Sequence, residues 1–175
     1  MKIINTKFKD LKIVQDVNIF DKRGYFRELI IEKEIDKRFP LKVMSFSKKN
    51  VLRGMHLQSK KSQGKFVSVI KGEIFDVVID LRKKSKTFKK KFIIRLSEKN
   101  SKSIFIPPGF AHGFYTLAKE NYVVYSCTKY RSKKNEISIK WDDKELNIAW
   151  PKKNPQVSEK DKNGISLEEC IKLLN

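Results

Sequence analysis

The middle of this chain alternates apolar and polar side chains with a period of two and is rich in β-branched and aromatic residues. That pattern fits pleated strands. Phe66-Val67-Ser68-Val69-Ile70 and Ile74-Phe75-Asp76-Val77-Val78-Ile79 flank Lys71-Gly72-Glu73, which reads as a tight hairpin. Lys91-Phe92-Ile93-Ile94-Arg95-Leu96 and Ser103-Ile104-Phe105-Ile106 follow, and Pro107-Pro108-Gly109 forces a turn before Gly113-Phe114-Tyr115-Thr116-Leu117. Further strands are predicted over residues 122–128 and 137–141. So many short strands, punctuated by Gly and Pro, predict an all-β sandwich or jelly-roll barrel.

Helical signals are confined to the flanks. Residues 28–39 predict a short helix stopped by Pro40, and residues 166–174 predict another, with Ser166 as N-cap and Glu169 at the capping-box position. With 175 residues and no internal repeat or linker, residues 1–175 are expected to form one domain with a sizeable core.

The formal net charge of +20 raises the question of nucleic acid. Of the 40 basic residues only seven are Arg and 33 are Lys, whereas base-edge and bidentate phosphate recognition lean on Arg. The lysines also occur as short runs in nearly every polar connection, which describes a solvated surface better than one binding stripe. Nucleic acid is therefore not the expected partner. No stretch reaches the roughly 18 apolar residues that a membrane-spanning helix needs, and the N-terminal residues lack a signal peptide's apolar centre. A cytoplasmic protein is expected, with Cys127 and Cys170 as reduced thiols.

The two histidines are the scarcest titratable groups. Each lies beside glycine, in Arg53-Gly54-Met55-His56-Leu57-Gln58 and in Pro107-Pro108-Gly109-Phe110-Ala111-His112-Gly113-Phe114. Jelly-roll barrels hold ligands inside, and polar residues facing inward from successive strands are how such an interior acquires a site. Either histidine alone is equally accounted for as a hydrogen-bonded strand residue.

These two motifs, with Arg23-Gly24-Tyr25-Phe26-Arg27-Glu28, Gln63-Gly64-Lys65, Gly72-Glu73-Ile74-Phe75-Asp76, Tyr125-Ser126-Cys127-Thr128-Lys129-Tyr130, Trp141-Asp142-Asp143 and Ser158-Glu159-Lys160-Asp161, resemble in order and spacing the motifs of the dTDP-4-dehydrorhamnose 3,5-epimerase family. The resemblance covers nearly the whole chain. It implies a cupin-type jelly roll with short helices at either end, a homodimer, and action on nucleotide-diphosphate-linked 4-keto sugars for surface polysaccharide synthesis.

A ketone at C4 acidifies the hydrogens at C3 and C5, so inverting either carbon takes a base on one face, an acid on the other and a group to hold the enolate oxygen. No cofactor is required. By resemblance, His56 matches the base, Asp161 the carboxylate that orients it, Tyr125 the acid and Lys65 the cation near the oxyanion. His112 and Arg53 match residues lining the sugar pocket, and Arg23, Glu28, Gln58, Tyr130 and Arg131 are the remaining substrate-binding candidates. Without the resemblance, Tyr125 reads rather as core, Asp161 as a turn residue and Lys65 as one more surface lysine.

A cupin metal site built on a His-x-His pair and a third histidine does not fit a chain with two histidines, and the pair position reads His56-x-Gln58, so no metal is expected. Three departures from the family pattern concern the substrate. Arg131 and Lys133 stand where a second Tyr and a Pro are usual, Val43-Met44-Ser45-Phe46-Ser47 replaces a more polar segment, and Arg27 replaces an aromatic residue. They leave open a GDP-linked sugar such as a 4-keto-heptose beside the dTDP-linked rhamnose precursor. A 3,4-ketoisomerase of the same fold and a non-catalytic basic binding module are the alternative functions.

Overall fold

A computed structural model describes residues 1–174. Its strands in chain order are β1 (Lys2–Asn5), β2 (Lys12–Gln15), β3 (Ile19–Asp21), β4 (Gly24–Phe26), β5 (Leu41–Lys48), β6 (Leu52–Gln58), β7 (Lys65–Lys71), β8 (Glu73–Asp80), β9 (Lys91–Ser97), β10 (Lys102–Ile106), β11 (Phe110–Thr116), β12 (Glu120–Cys127) and β13 (Glu136–Ser138). Three short helices are α1 (Glu32–Ile35), α2 (Glu159–Lys162) and α3 (Leu167–Leu173). The strands form a six-stranded sheet ordered β1-β2-β10-β7-β12-β5, a five-stranded sheet ordered β13-β6-β11-β8-β9, and the separate β3–β4 hairpin. Pairing is antiparallel throughout these sheets. The all-β jelly roll expected from the alternation is the fold observed.

Residue parity decides what each face does. Val67 and Val69 of β7, Ile104 and Ile106 of β10, Val123 of β12, Ile74 and Val78 of β8, and Phe110 and Phe114 of β11 point inward and form the core between the sheets. The alternate residues of the five-stranded sheet, including Met55, Leu57, Val77 and Ala111, are covered from outside by Leu146, Leu167 and Cys170. Ile35 and Phe39 likewise cover Val14, Phe66 and Phe105 on the outer face of the six-stranded sheet.

Two local expectations are corrected. Lys71-Gly72-Glu73 joins strands of different sheets and is a corner, not a hairpin. At Gly72 the backbone has φ +89°, and a Cβ there would stand 2.3 Å from the Glu120 carbonyl oxygen, so the chain turns against β12 and crosses the core. Only residues 32–35 of the predicted 28–39 helix are helical. The Ile31 N-cap offers no side-chain acceptor, Asp36 ends the turn in the left-handed region, and the anchoring of Ile30, Ile35 and Phe39 on the sheet outweighs continued helix. The C-terminal helix has the predicted capping box between Ser166 and Glu169. Both cysteines are free and buried.

Candidate active site

Parity also gathers the chemistry. His56 of β6 has the inward parity opposite to Met55 and Leu57, while Tyr125 of β12 and Lys65 of β7 share the inward parity of Val123 and Val67 on the other sheet. Between them lies a cleft of about 690 Å³, lined among others by Arg53, His56, Gln58, Lys65, Tyr125, Arg131 and Asp161. Base and acid candidates thus occupy opposite walls.

His56 is placed by a close approach of two strands. Gly54 of β6 has φ +137°, and a Cβ on it would stand 2.5 Å from Gly113 Cα of β11, while a Cβ on Gly113 would meet Met55 Sδ at 2.6 Å. With glycine at both positions the strands press together, and His56 pairs in register with His112.

Asp161 arrives from 105 residues away. Leu52 N–H donates to the Gln156 carbonyl at 2.9 Å and Gln156 N–H to the Asn50 carbonyl at 2.8 Å, stitching the C-terminal segment beside the start of β6. Ser158 then caps α2 by accepting from the Asp161 N–H, which turns the Asp161 side chain inward. Its Oδ1 lies 2.6 Å from His56 Nε2, and its Oδ2 accepts from Gly54 N–H at 3.4 Å. Burial opposes the charge on Asp161, but the contacts with His56, Gly54 and Ser158 outweigh it and hold the carboxyl below its ordinary pKa.

On the facing wall, Tyr125 Oη lies 3.1 Å from Ser45 Oγ of β5. Burial drives its phenol far above its ordinary pKa, against the opposing pull of Ser45 and Arg53, so it carries its proton at neutral pH. Burial also pulls the Lys65 ammonium below its ordinary pKa, opposed by Cys127, Glu136 and Asp76. Arg53 is held at the rim by Ser47 Oγ at 2.9 Å and the Phe46 carbonyl at 3.0 Å. Gln58 is committed to the backbone, donating to the Lys61 carbonyl and accepting from Ser132 N–H.

His56 seated on a carboxylate thus faces a protonated phenol across the cleft, with the half-buried Lys65 on the phenol's wall, and such an arrangement can move a proton. Sequence comparison gives the matching result: the model of the family described as dTDP-4-dehydrorhamnose 3,5-epimerase matches residues 5–169. The chain belongs to this epimerase family. An enzyme of that name from Shigella flexneri is 42% identical over 171 residues, 94% of each chain. The Legionella pneumophila epimerase solved in complex with dTDP-4-keto-L-rhamnose superposes with TM-score 0.90 at 41% identity, covering 95% of this chain and 93% of its own. The Bacillus anthracis epimerase solved with TDP and PPi bound gives TM-score 0.91 at 37% identity, covering 95% and 99%. Members of this epimerase family are isomerases, and this chain has their cupin-type jelly roll.

Not every residue singled out in the sequence reaches the cleft of this epimerase. His112 is buried behind it, its Nε2 2.7 Å from Asp76 Oδ2 and its ring 6.4 Å from that of Tyr125. Arg23 stands in the turn of the exposed β3–β4 hairpin, paired with Asp21 at 2.6 Å, and Glu28 and Tyr130 are exposed. None of these four is among the cleft-lining residues. Asp76 was not singled out, although a carboxylate inside the apolar run of β8 was its signal. Glu136 and Lys160 were missed too. Both line the cleft, and the Arg131 hydrogen bonds, with Lys160 at 2.9 Å, overcome burial to bring the Glu136 pKa down to about 2. Their signal was absent, because residues 131, 136 and 160 meet only through folding.

Proposed function

We propose that the protein inverts C3 and C5 of a dTDP-linked 4-keto-6-deoxy sugar, the rhamnose precursor, for surface polysaccharide synthesis. The observation that carries this reading is the His56–Asp161 pair facing Tyr125 across one cleft. His56 takes the hydrogen α to the ketone, Asp161 orients the ring and stabilises its protonated form, and Lys65 holds the charge gathering on the C4 oxygen. Tyr125 then returns a proton from the other face. Rotation of the sugar within the cleft presents the second carbon. The dTDP linkage is supported by the ligands of the Legionella and Bacillus enzymes.

The working form in this proposal is a homodimer in the cytoplasm. The hairpin exposes Ile19 (62%), Phe20 (71%) and Phe26 (64%), and the edge strand β5 exposes Val43, Met44 and Phe46. Because Val43 and Phe46 of β5 also line the cleft, a second copy docked along this edge would stand at the cleft mouth, and in this proposal it presents its own hairpin there. That arrangement gives Arg23 and Glu28 a substrate to bind, which their position in their own protomer does not.

Incubating the protein with dTDP-4-keto-6-deoxyglucose in heavy water should incorporate deuterium at C3 and C5 and yield the L-rhamno product. Exchange with a GDP-linked 4-keto-heptose instead would transfer the mechanism to that substrate. Absence of exchange with either would refute the epimerase assignment.

A further inference from the structure

Strands β5, β12 and β7 lie side by side, and their registers set out the wall opposite His56 as a grid. Tyr125 of β12 has Val43 of β5 on one side and Val67 of β7 on the other, and the next inward row across the same strands is Leu41, Cys127 and Lys65. Neighbours within a row stand about 5 Å apart and successive inward rows about 7 Å. Leu41, Val43 and Cys127 all line the cleft. The acid and the ammonium therefore share their wall with a contiguous apolar patch.

Polar groups bordering the patch do not relieve it. Ser45, the next inward residue of β5, is engaged with Tyr125 Oη at 3.1 Å. Burial holds the Cys127 thiol above its ordinary pKa, opposed by Lys65, and a neutral thiol packs as a small apolar group. Val43 is nonetheless 44% exposed, and it belongs to the stretch of β5 that replaces a more polar segment of the motif. Branched aliphatic side chains facing water beside an acid gain by being covered with an apolar group of the ligand.

We propose that Leu41 and Val43, with the Cys127 thiol, seat the C6 methyl of the sugar and so select 6-deoxy sugars over their 6-hydroxy counterparts. The methyl is the one alkyl substituent on the ring of a 4-keto-6-deoxy sugar, and it sits on C5, next to the ketone. With C5 at Tyr125 and the C4 oxygen at Lys65, the methyl covers the patch. A C6 hydroxyl in its place gives up water for two alkyl groups and a thiol, and that desolvation opposes binding. The inference rests on the substrate reading above and names the residues that recognise its deoxygenated carbon.

The test uses dTDP-6-deoxyglucose and dTDP-glucose, stable probes that differ in one oxygen at C6 and share every other group. Measured by calorimetry, the intact protein should bind the 6-deoxy probe about tenfold or more tightly, the scale on which an apolar pocket discriminates against an added hydroxyl. Val43→Thr keeps the side-chain shape and offers a hydroxyl, and Leu41→Asn does the same with an amide. Each should weaken binding of the 6-deoxy probe, strengthen that of dTDP-glucose and bring the ratio below about threefold. A general loss of stability or of diphosphate contacts moves both affinities together and leaves the ratio alone. Equal binding of the two probes by the wild type overturns the proposal. So does a wild-type ratio retained in both Val43→Thr and Leu41→Asn, which places the discrimination elsewhere in the cleft. Failure of the wild type to bind either probe or to exchange deuterium is a different result: it refutes the substrate reading, and the methyl seat with it.

Discussion

His56 Nε2 lies 2.6 Å from Asp161 Oδ1, although 105 residues separate the two, and both line the cleft. Everything the proposed mechanism asks of the base depends on that contact. His56→Ala should abolish deuterium exchange altogether. Asp161→Asn keeps the shape but loses the charge that stabilises the protonated ring, and should lower kcat by roughly 10²-fold or more, read as exchange rate by NMR. Exchange at the wild-type rate in either variant removes these roles.

Tyr125 stands on the wall opposite His56, protonated and held by Ser45. Tyr125→Phe should therefore leave abstraction at the first carbon while blocking proton return from the other face. The expected signature is deuterium entering from solvent with net inversion reduced by about 10²-fold. Equal loss of exchange and inversion would assign the tyrosine to binding instead.

Gly54 and Gly113 face each other where β6 meets β11. A Cβ on Gly54 at φ +137° would stand 2.5 Å from Gly113 Cα, and its three nearest neighbours are all backbone atoms of β11 that cannot swing aside. Gly54→Ala should cost about 2 kcal/mol or more of stability, combining overpacking and backbone strain. Urea denaturation measures it, and activity should fall with it because His56 follows two residues on.

Asp76 and His112 are both buried and hydrogen-bonded to one another at 2.7 Å. Replacing Asp76 with Ala leaves a ring nitrogen without a partner in the core, a loss of about 1–3 kcal/mol. The double variant Asp76→Ala with His112→Phe should recover part of that, as a thermodynamic cycle will show.

Asp80 is fully buried. Burial works against its charge, but hydrogen bonds from Arg82, Ser85 and Thr87 win and bring its pKa to about 2 from the model-peptide value of 3.8. A carboxyl depressed by folding stabilises the native state above its unfolded pKa and loses that contribution as pH falls through the folded one. Asp80→Asn should cost about 2 kcal/mol at pH 7. The difference from wild type should shrink between about pH 4 and pH 2; a constant gap across that range would assign the effect to packing.

The strands, the fold class and the C-terminal capping box were legible because they are local. Alternation marks the inward face of β7, β8 and β12, and Ser166 with Glu169 is a pattern three residues long. His56, Tyr125, Lys65 and Asp161 were legible through the ordered motifs. The Gly72 corner was misread because a Gly between two apolar runs looks the same whether the second strand returns beside the first or crosses to the other sheet. The 28–39 segment was misread because the apolar residues that suggested a helix are each anchored on a sheet surface that local sequence does not contain.

By itself, then, the sequence determined which residues face inward and which side chains are available for proton transfer, since both follow from residue type and a period of two. The tertiary structure decided their partners: Asp161 for His56, Asp76 for His112, and Glu136 with Arg131 and Lys160 at the cleft. It also left Arg23 and Glu28 outside their own cleft. Such pairings depend on which strands become neighbours, which is settled by burying the core between two sheets and not by spacing along the chain.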